Sequence, residues 1–163
     1  MKRIGLISDT HGSIHPRVFS FFKDCDEIWH AGDIGNLETY DKLNKYKPLR
    51  AVYGNIDGGS LRHDLNEYEL FSIEGIKVIL IHIGGYPGRY SMLARQLIME
   101  HKPKLFISGH SHILKIIPDN KNNLLHINPG AAGNSGLHHV ITFVRFVIDN
   151  GKVKDLEIFE VPR

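Results

Sequence analysis

The 163-residue chain has one cysteine, Cys25, which excludes an internal disulfide and a multi-cysteine zinc site. A reducing cytoplasm is the compartment this implies. No apolar run approaches the roughly 20 residues of a membrane-spanning helix, and the one in the opening MKRIGLISDT is too short for a signal-peptide core. Charge of one sign is also scarce. Against 20 Lys and Arg stand 18 Asp and Glu, and the net +2 gives no signal for nucleic acid or a membrane surface. There is no internal repeat, linker or low-complexity tract. Hydrophobic residues at 42% and charged residues at 23% are ordinary for a folded protein, so a single domain over 1–163 is expected.

What is present is a regular alternation. Residues 2–8 read as a buried strand, 15–24 as a helix, 27–31 as a strand, 37–47 as a helix and 49–53 as a strand. Such alternation with short connections predicts βαβ units and a parallel sheet. The second half is mostly strands: 69–73 and 77–83 around the turn Glu74-Gly75, then 104–108, 114–117, 124–127, 140–148 and 152–159. One helix is predicted over 91–101, and Asp149-Asn150-Gly151 marks a hairpin. The fold class is therefore α/β (α+β), with a parallel portion followed by a large antiparallel one.

The eleven histidines are informative by their placement. Ligands of open α/β sheets bind beyond the carboxyl ends of the strands. At those ends this chain puts Asp9-Thr10-His11, Gly32-Asp33, Gly54-Asn55, His82 and Gly109-His110-Ser111-His112. Singly, each has a structural explanation, since Asp and Asn after a strand commonly cap helices or make turns. A lone His is more often a hydrogen-bonded core residue than a ligand. Together they form a set of two Asp, one Asn and four His, all oxygen or nitrogen donors. That set suits Mn, Fe, Zn, Co or Ni and is too rich in imidazole for a Mg or Ca cage. Seven donors exceed the needs of one catalytic ion that keeps an open position, so two divalent ions are expected. Two carboxylates, two dications and a bridging hydroxide leave about +1, attractive to a phosphate ester.

The ordered motifs D-x-H, G-D, G-N, H and G-H-x-H resemble the calcineurin-like metallophosphoesterase superfamily. The short chain and its GNID segment look like the compact bacterial and archaeal phosphodiesterase branch, related to the retromer subunit Vps29. The resemblance implies a four-layer αββα sandwich of two mixed β-sheets flanked by helices. It also implies two divalent ions per chain, Mn2+ first with Ni2+, Co2+, Zn2+ or Fe2+ as alternatives. Asp9, His11 and His112 would hold one ion and Asn55, His82 and His110 the other, with Asp33 bridging. The catalytic residues would be Asp33, Asn55 and His82. The implied reaction is hydrolysis of a small-molecule phosphodiester by a metal-bridging hydroxide. A Vps29-like interaction scaffold and a phosphomonoesterase are the alternatives.

Two departures from the family pattern matter. Ile56 stands where many members carry a His that assists the leaving group, worth about 10²–10⁴-fold. Activated aryl or nucleotide diesters are therefore expected to be better substrates than alkyl phosphates, with His126 and His138 the remaining side chains for the missing role. The other departure is at Ile83: many members read H-G-H where this chain reads His82-Ile83-Gly84-Gly85, so the first His is kept and the second is lost. Loop 84–90 offers Arg89 and Tyr86 as substrate-binding candidates, Arg because its fork matches phosphate oxygens. Arg62 and His63 are weaker candidates, Asp57 is expected to orient a neighbour, and Asn128 and His126 to support a ligand. The C-terminal strands offer edges on which a homodimer could form.

Overall fold

In the computed structural model, which describes residues 1–163, β1 (Lys2–Ile7) divides its side chains between two apolar environments. Ile4 and Leu6 enter a core between two sheets, whereas Ile7 faces a second core under helices. A strand covered on both faces needs an uninterrupted apolar run, which the segment Ile4 to Ile7 supplies.

The first sheet has the order β10-β9-β1-β2-β3, built from β10 (Lys152–Pro162), β9 (Val140–Asp149), β1, β2 (Glu27–His30) and β3 (Leu49–Ala51). Here β1, β2 and β3 run parallel, and β9 is antiparallel to β1 and β10. The second sheet has the order β4-β5-β6-β8-β7. Its strands are β4 (Tyr68–Ile73), β5 (Ile76–Ile81), β6 (Leu105–Ile107), β8 (Leu124–Pro129) and β7 (Leu114–Asp119). The central β5, β6 and β8 are parallel, with β4 and β7 antiparallel at the edges.

The sheets pack face to face on a core that includes Leu6, Trp29, Leu80, Ile107, Ile127 and Phe146. The Trp29 ring meets Phe71 and Phe146 edge-on at 5.1 and 5.8 Å, a favoured aromatic geometry. Helices α1 (Arg17–Phe21) and α2 (Leu37–Tyr46) cover the outer face of the first sheet through Val18 and Leu43. Helix α4 (Met92–His101) covers the second sheet through Ala94, Leu97 and Ile98. The architecture is the expected αββα sandwich. Asn36 caps α2 by accepting from the Thr39 amide at 2.8 Å, and Ser91 caps α4 likewise at 3.2 Å.

Two elements differ from the sequence expectation. Helix α1 is shorter than 15–24, because Pro16 serves as its cap and Phe22 leaves helical geometry to start a tight turn. The short α3 (Gly59–Asp64) follows Gly58-Gly59, a pair that reads as loop. Leu61 holds it in place by packing with Ile34 and Ala51, a tertiary contact with no local signature. No helix is long and apolar enough to cross a membrane.

Candidate metal centre

Because β1–β3 and β5, β6 and β8 are each parallel, their carboxyl ends gather at one end of the sandwich. Asp9 and His11 follow β1, Asp33 follows β2, Asn55 follows β3, His82 follows β5, and His110 and His112 follow β6. Five of them have left-handed backbone: Asp9 (φ 54°), His11 (48°), Asp33 (56°), His110 (73°) and His112 (62°). Non-glycine residues occupy that region at a cost and persist there only where the surroundings over-determine them. Those surroundings are hydrogen bonds between loops: Asp9 N to Gly32 O, His11 N to Asp33 O and Gly109 N to His82 O, each 3.0 Å. The glycines of two motifs are needed for close approach. A Cβ at Gly54 would collide with the Asp33 carboxylate, and one at Gly109 with Ser8 Oγ.

The side chains form two groups whose donor atoms lie within 4.8 Å of one another, Asp9, His11 and His112 in one and Asp33, His82 and His110 in the other. Asp9 Oδ1 is 3.2 Å from His112 Nε2 and 3.8 Å from His11 Nε2. Asp33 Oδ2 is 3.4 Å from His11 Nε2 and 3.3 Å from His82 Nε2, so its carboxylate faces both groups. Asn55 Oδ1 lies 2.9 Å from His82 Nε2. The other Asp9 oxygen is taken up by the Ser8 hydroxyl at 2.7 Å and the His110 amide at 3.1 Å.

Hydrogen bonds behind the cluster set which ring nitrogen faces inward. His82 Nδ1 donates to the Ala31 carbonyl at 2.7 Å, which leaves Nε2 to face the carboxylates. His138 Nε2 donates to Gly133 O at 2.8 Å, and His138 Nδ1 accepts from His112 Nδ1 at 3.2 Å. His112 Nε2 is thereby directed at Asp9. His30 sits beneath, donating from Nε2 to Thr10 Oγ1 at 2.9 Å and accepting the Gly32 amide on Nδ1. Asp57 ties two loops together by accepting the amides of Ile34, Gly35 and Gly54.

Burial alone would raise the Asp9 carboxyl, but the imidazoles of His11, His112 and His82 around it hold it well below the usual carboxylate range. Asp33 is likewise lowered against burial, by His82 and the Ile56 amide. His11 is raised by the neighbouring Asp9 carboxylate. His82 is raised because Asp33 and Asp9 outweigh the effect of burial. Two buried carboxylates thus draw protons onto the imidazoles around them. Asp9 Oδ1 and His11 Nε2 are buried without a hydrogen-bond partner. Inward-facing nitrogen and oxygen donors with orphaned lone pairs fit divalent cations, which would replace those protons.

The remaining sequence candidates divide. Tyr86 and Arg89 line a cavity that opens beside His110. Arg62 instead stacks on Tyr53 and donates to the carbonyls of Asp57 and Gly54, holding the 54–58 turn. His63 is exposed beside Asp64. Asn128 bonds the Gly109 carbonyl and Ser111 Oγ, which positions the His110–His112 loop rather than a ligand ring. His138, with both ring nitrogens engaged, is an orienting residue for His112 and not a free acid. Sequence reasoning missed Ser8, His30 and Lys115, which carry no motif of their own.

A model of the calcineurin-like phosphoesterase superfamily domain matches residues 1–151. The chain belongs to the calcineurin-like phosphoesterase superfamily. A probable metallophosphoesterase of Methanothermobacter thermautotrophicus is 34% identical over 138 residues, covering 78% of this chain and 76% of that one. Among solved structures, an archaeal phosphodiesterase matches at a TM-score of 0.74 and 20% identity, over 99% of both chains. Vps29 from Entamoeba histolytica, solved with Zn2+, matches at 0.72 and 22% over 98% of both. These structures share the fold. The superfamily binds divalent metals, and this member has two candidate positions for them.

Proposed function

We propose that this superfamily member is a phosphodiesterase working with two divalent cations, and that 1–163 acts as one catalytic domain. Asp9, His11 and His112 would hold one ion and Asn55, His82 and His110 the other, with Asp33 shared. Mn2+ is the first candidate, with Ni2+, Co2+, Zn2+ and Fe2+ as alternatives for this donor set. When bound, such ions supply Lewis acidity toward phosphate oxygens and lower the pKa of a coordinated water. The single observation that carries the reading is Asp33, whose Oδ2 lies 3.4 Å from His11 and 3.3 Å from His82, between the two groups.

The protein's own part is positioning. His82 and His112 are locked by Ala31 and His138, so their inward nitrogens need no reorganisation when charge develops. Ile56, 48% exposed at the site, donates no proton to a leaving group. That supports activated diesters over alkyl monoesters. The resemblance to an archaeal phosphodiesterase supports the same choice.

The test is hydrolysis of bis(p-nitrophenyl) phosphate and p-nitrophenyl phosphate by protein reconstituted with each metal. Metal-dependent cleavage of the diester in preference to the monoester is expected. Faster cleavage of the monoester would contradict the diesterase reading. A second reading, a protein-docking surface, is favoured by Ile56, Ile83 and Ile113, which directly follow ligand residues and are 46 to 62% exposed. Two bound ions with no hydrolysis under any metal would favour it.

A further inference from the structure

Residues 130–139 join β8 to β9, and their second half packs on His112. Gly133 anchors the start of that half, its amide donating to Asp9 O at 3.1 Å. His138 anchors the end, with Nε2 donating to Gly133 O at 2.8 Å and Nδ1 accepting from His112 Nδ1 at 3.2 Å. Gly136, between them, abuts the His112 ring itself: a Cβ there would lie 2.5 Å from His112 Nδ1. Its φ of 133° also favours glycine. Gly136 and His138 thus form the wall against which this ligand ring rests.

Little else fixes that wall. Residues 134–137 are all exposed, Leu137 by 95%. The segment makes a single hydrogen bond, accepted by Gly136 O from the Arg163 guanidinium. The Arg163 amide donates to His139 O at 3.0 Å, one step beyond the pairing of Pro162 with Val140 at the end of β10. Exposed backbone with few buried contacts opens readily unless something ties it, and here Arg163 is the tie. The second metal position is supported differently. His82 is buried, with Nδ1 bonded to the Ala31 carbonyl beyond β2, and neither His82, His110, Asp33 nor Asn55 bonds any residue of 134–139.

We propose that Arg163 is a positioning residue for the first metal position, formed by Asp9, His11 and His112, and leaves the second alone. Its guanidinium holds Gly136 against the His112 ring and keeps His138 within reach of His112 Nδ1, so that Nε2 stays aimed at Asp9 Oδ1, 3.2 Å away. A lysine can make the same donation to a carbonyl, and an alanine cannot. This rests on the two-ion reading and deepens it. Although Asp33 joins the two positions, the first is adjustable separately, from the end of an edge strand.

The test isolates each position and measures Mn2+ affinity by calorimetry. In His110→Ala protein, which keeps the first position, adding Arg163→Ala is expected to weaken Mn2+ binding about tenfold, and Arg163→Lys to restore most of it. In His112→Ala protein, which keeps the second, Arg163→Ala is expected to change nothing. Arg163 is exposed, so its replacement leaves the cores intact. Unchanged affinity in the His110→Ala background, or equal weakening in both, would overturn the proposal. A second readout needs no metal. In metal-free protein, Arg163→Ala is expected to shift the imidazole nitrogen resonances of His112 and His138 and to leave those of His82 in place. If the wild type binds one ion or none, the two-ion reading fails and these resonances decide the role of Arg163 alone. Shifts confined to His112 and His138 keep it, whereas unmoved resonances, or equal shifts at His82, remove it.

Discussion

The ligand cluster and the cavity beside it share one end of the sandwich and are built in opposite ways. In the cluster, backbone does the positioning: five ligand-type residues have left-handed φ, and a Cβ at Gly54 or Gly109 has no room. Interloop hydrogen bonds and the Ala31, His138 and Asp57 contacts fix what the backbone presents. In the cavity, side chains do the work, and Tyr86, Arg89 and Ile113 are exposed on loops that could change without disturbing either sheet. The difference teaches where tolerance lies. On the proposed reading, chemistry that demands fixed geometry would sit on strained, over-determined backbone, and the replaceable side chains beside it would be free to vary.

The largest expected effect comes from breaking the cluster where its halves meet. Asp33→Ala should reduce kcat/KM for bis(p-nitrophenyl) phosphate by roughly 10³-fold, about 4 kcal/mol of transition-state stabilisation. Next is a pH effect that separates the two regions. In the cluster the carboxylates raise His11 and His82, whereas burial holds His126 near pH 4 in the fold against 6.5 when exposed. A depressed histidine favours the folded state above its unfolded pKa, and that advantage is lost as pH falls from about 6.5 to about 4. Relative to His126→Phe, the wild type should therefore lose roughly 3 kcal/mol of unfolding free energy between pH 7 and 4, measured by urea denaturation. Gly109→Ala should cost about 1–3 kcal/mol in the same assay by forcing Ser8 and Asp9 apart. His138→Ala leaves every ligand in place and should weaken metal binding by about 10–100-fold, measured by competition with a chelator. Arg62→Ala, which removes a brace on the 54–58 turn without touching a ligand side chain, should cost about 1 kcal/mol of stability and change metal affinity less than His138→Ala does.

The candidate site was legible because each ligand-type residue lies within a few positions of an apolar strand, and strand ends converge in a parallel sheet. Asp9, Asp33, Asn55, His82 and His110 needed no tertiary knowledge beyond that rule. The fold class followed from the same alternation. What stayed hidden depends on contacts between distant segments. The tie from His112 to His138 crosses 26 residues, and the Ser8 support of Asp9 reads locally as one more strand residue. Helix α3 exists because Leu61 finds Ile34 and Ala51, which its glycine-flanked sequence does not announce. The orientation of His126 appears only once β8 is known to face two different cores, one on each side.

The central claim is that two metal positions share Asp33, and counting metal ions tests it most directly. Metal-free protein titrated with Mn2+ should bind two ions per chain, one after His112→Ala and one after His110→Ala, and fewer than two after Asp33→Ala. A single ion in the wild type, or two in both histidine variants, would contradict it.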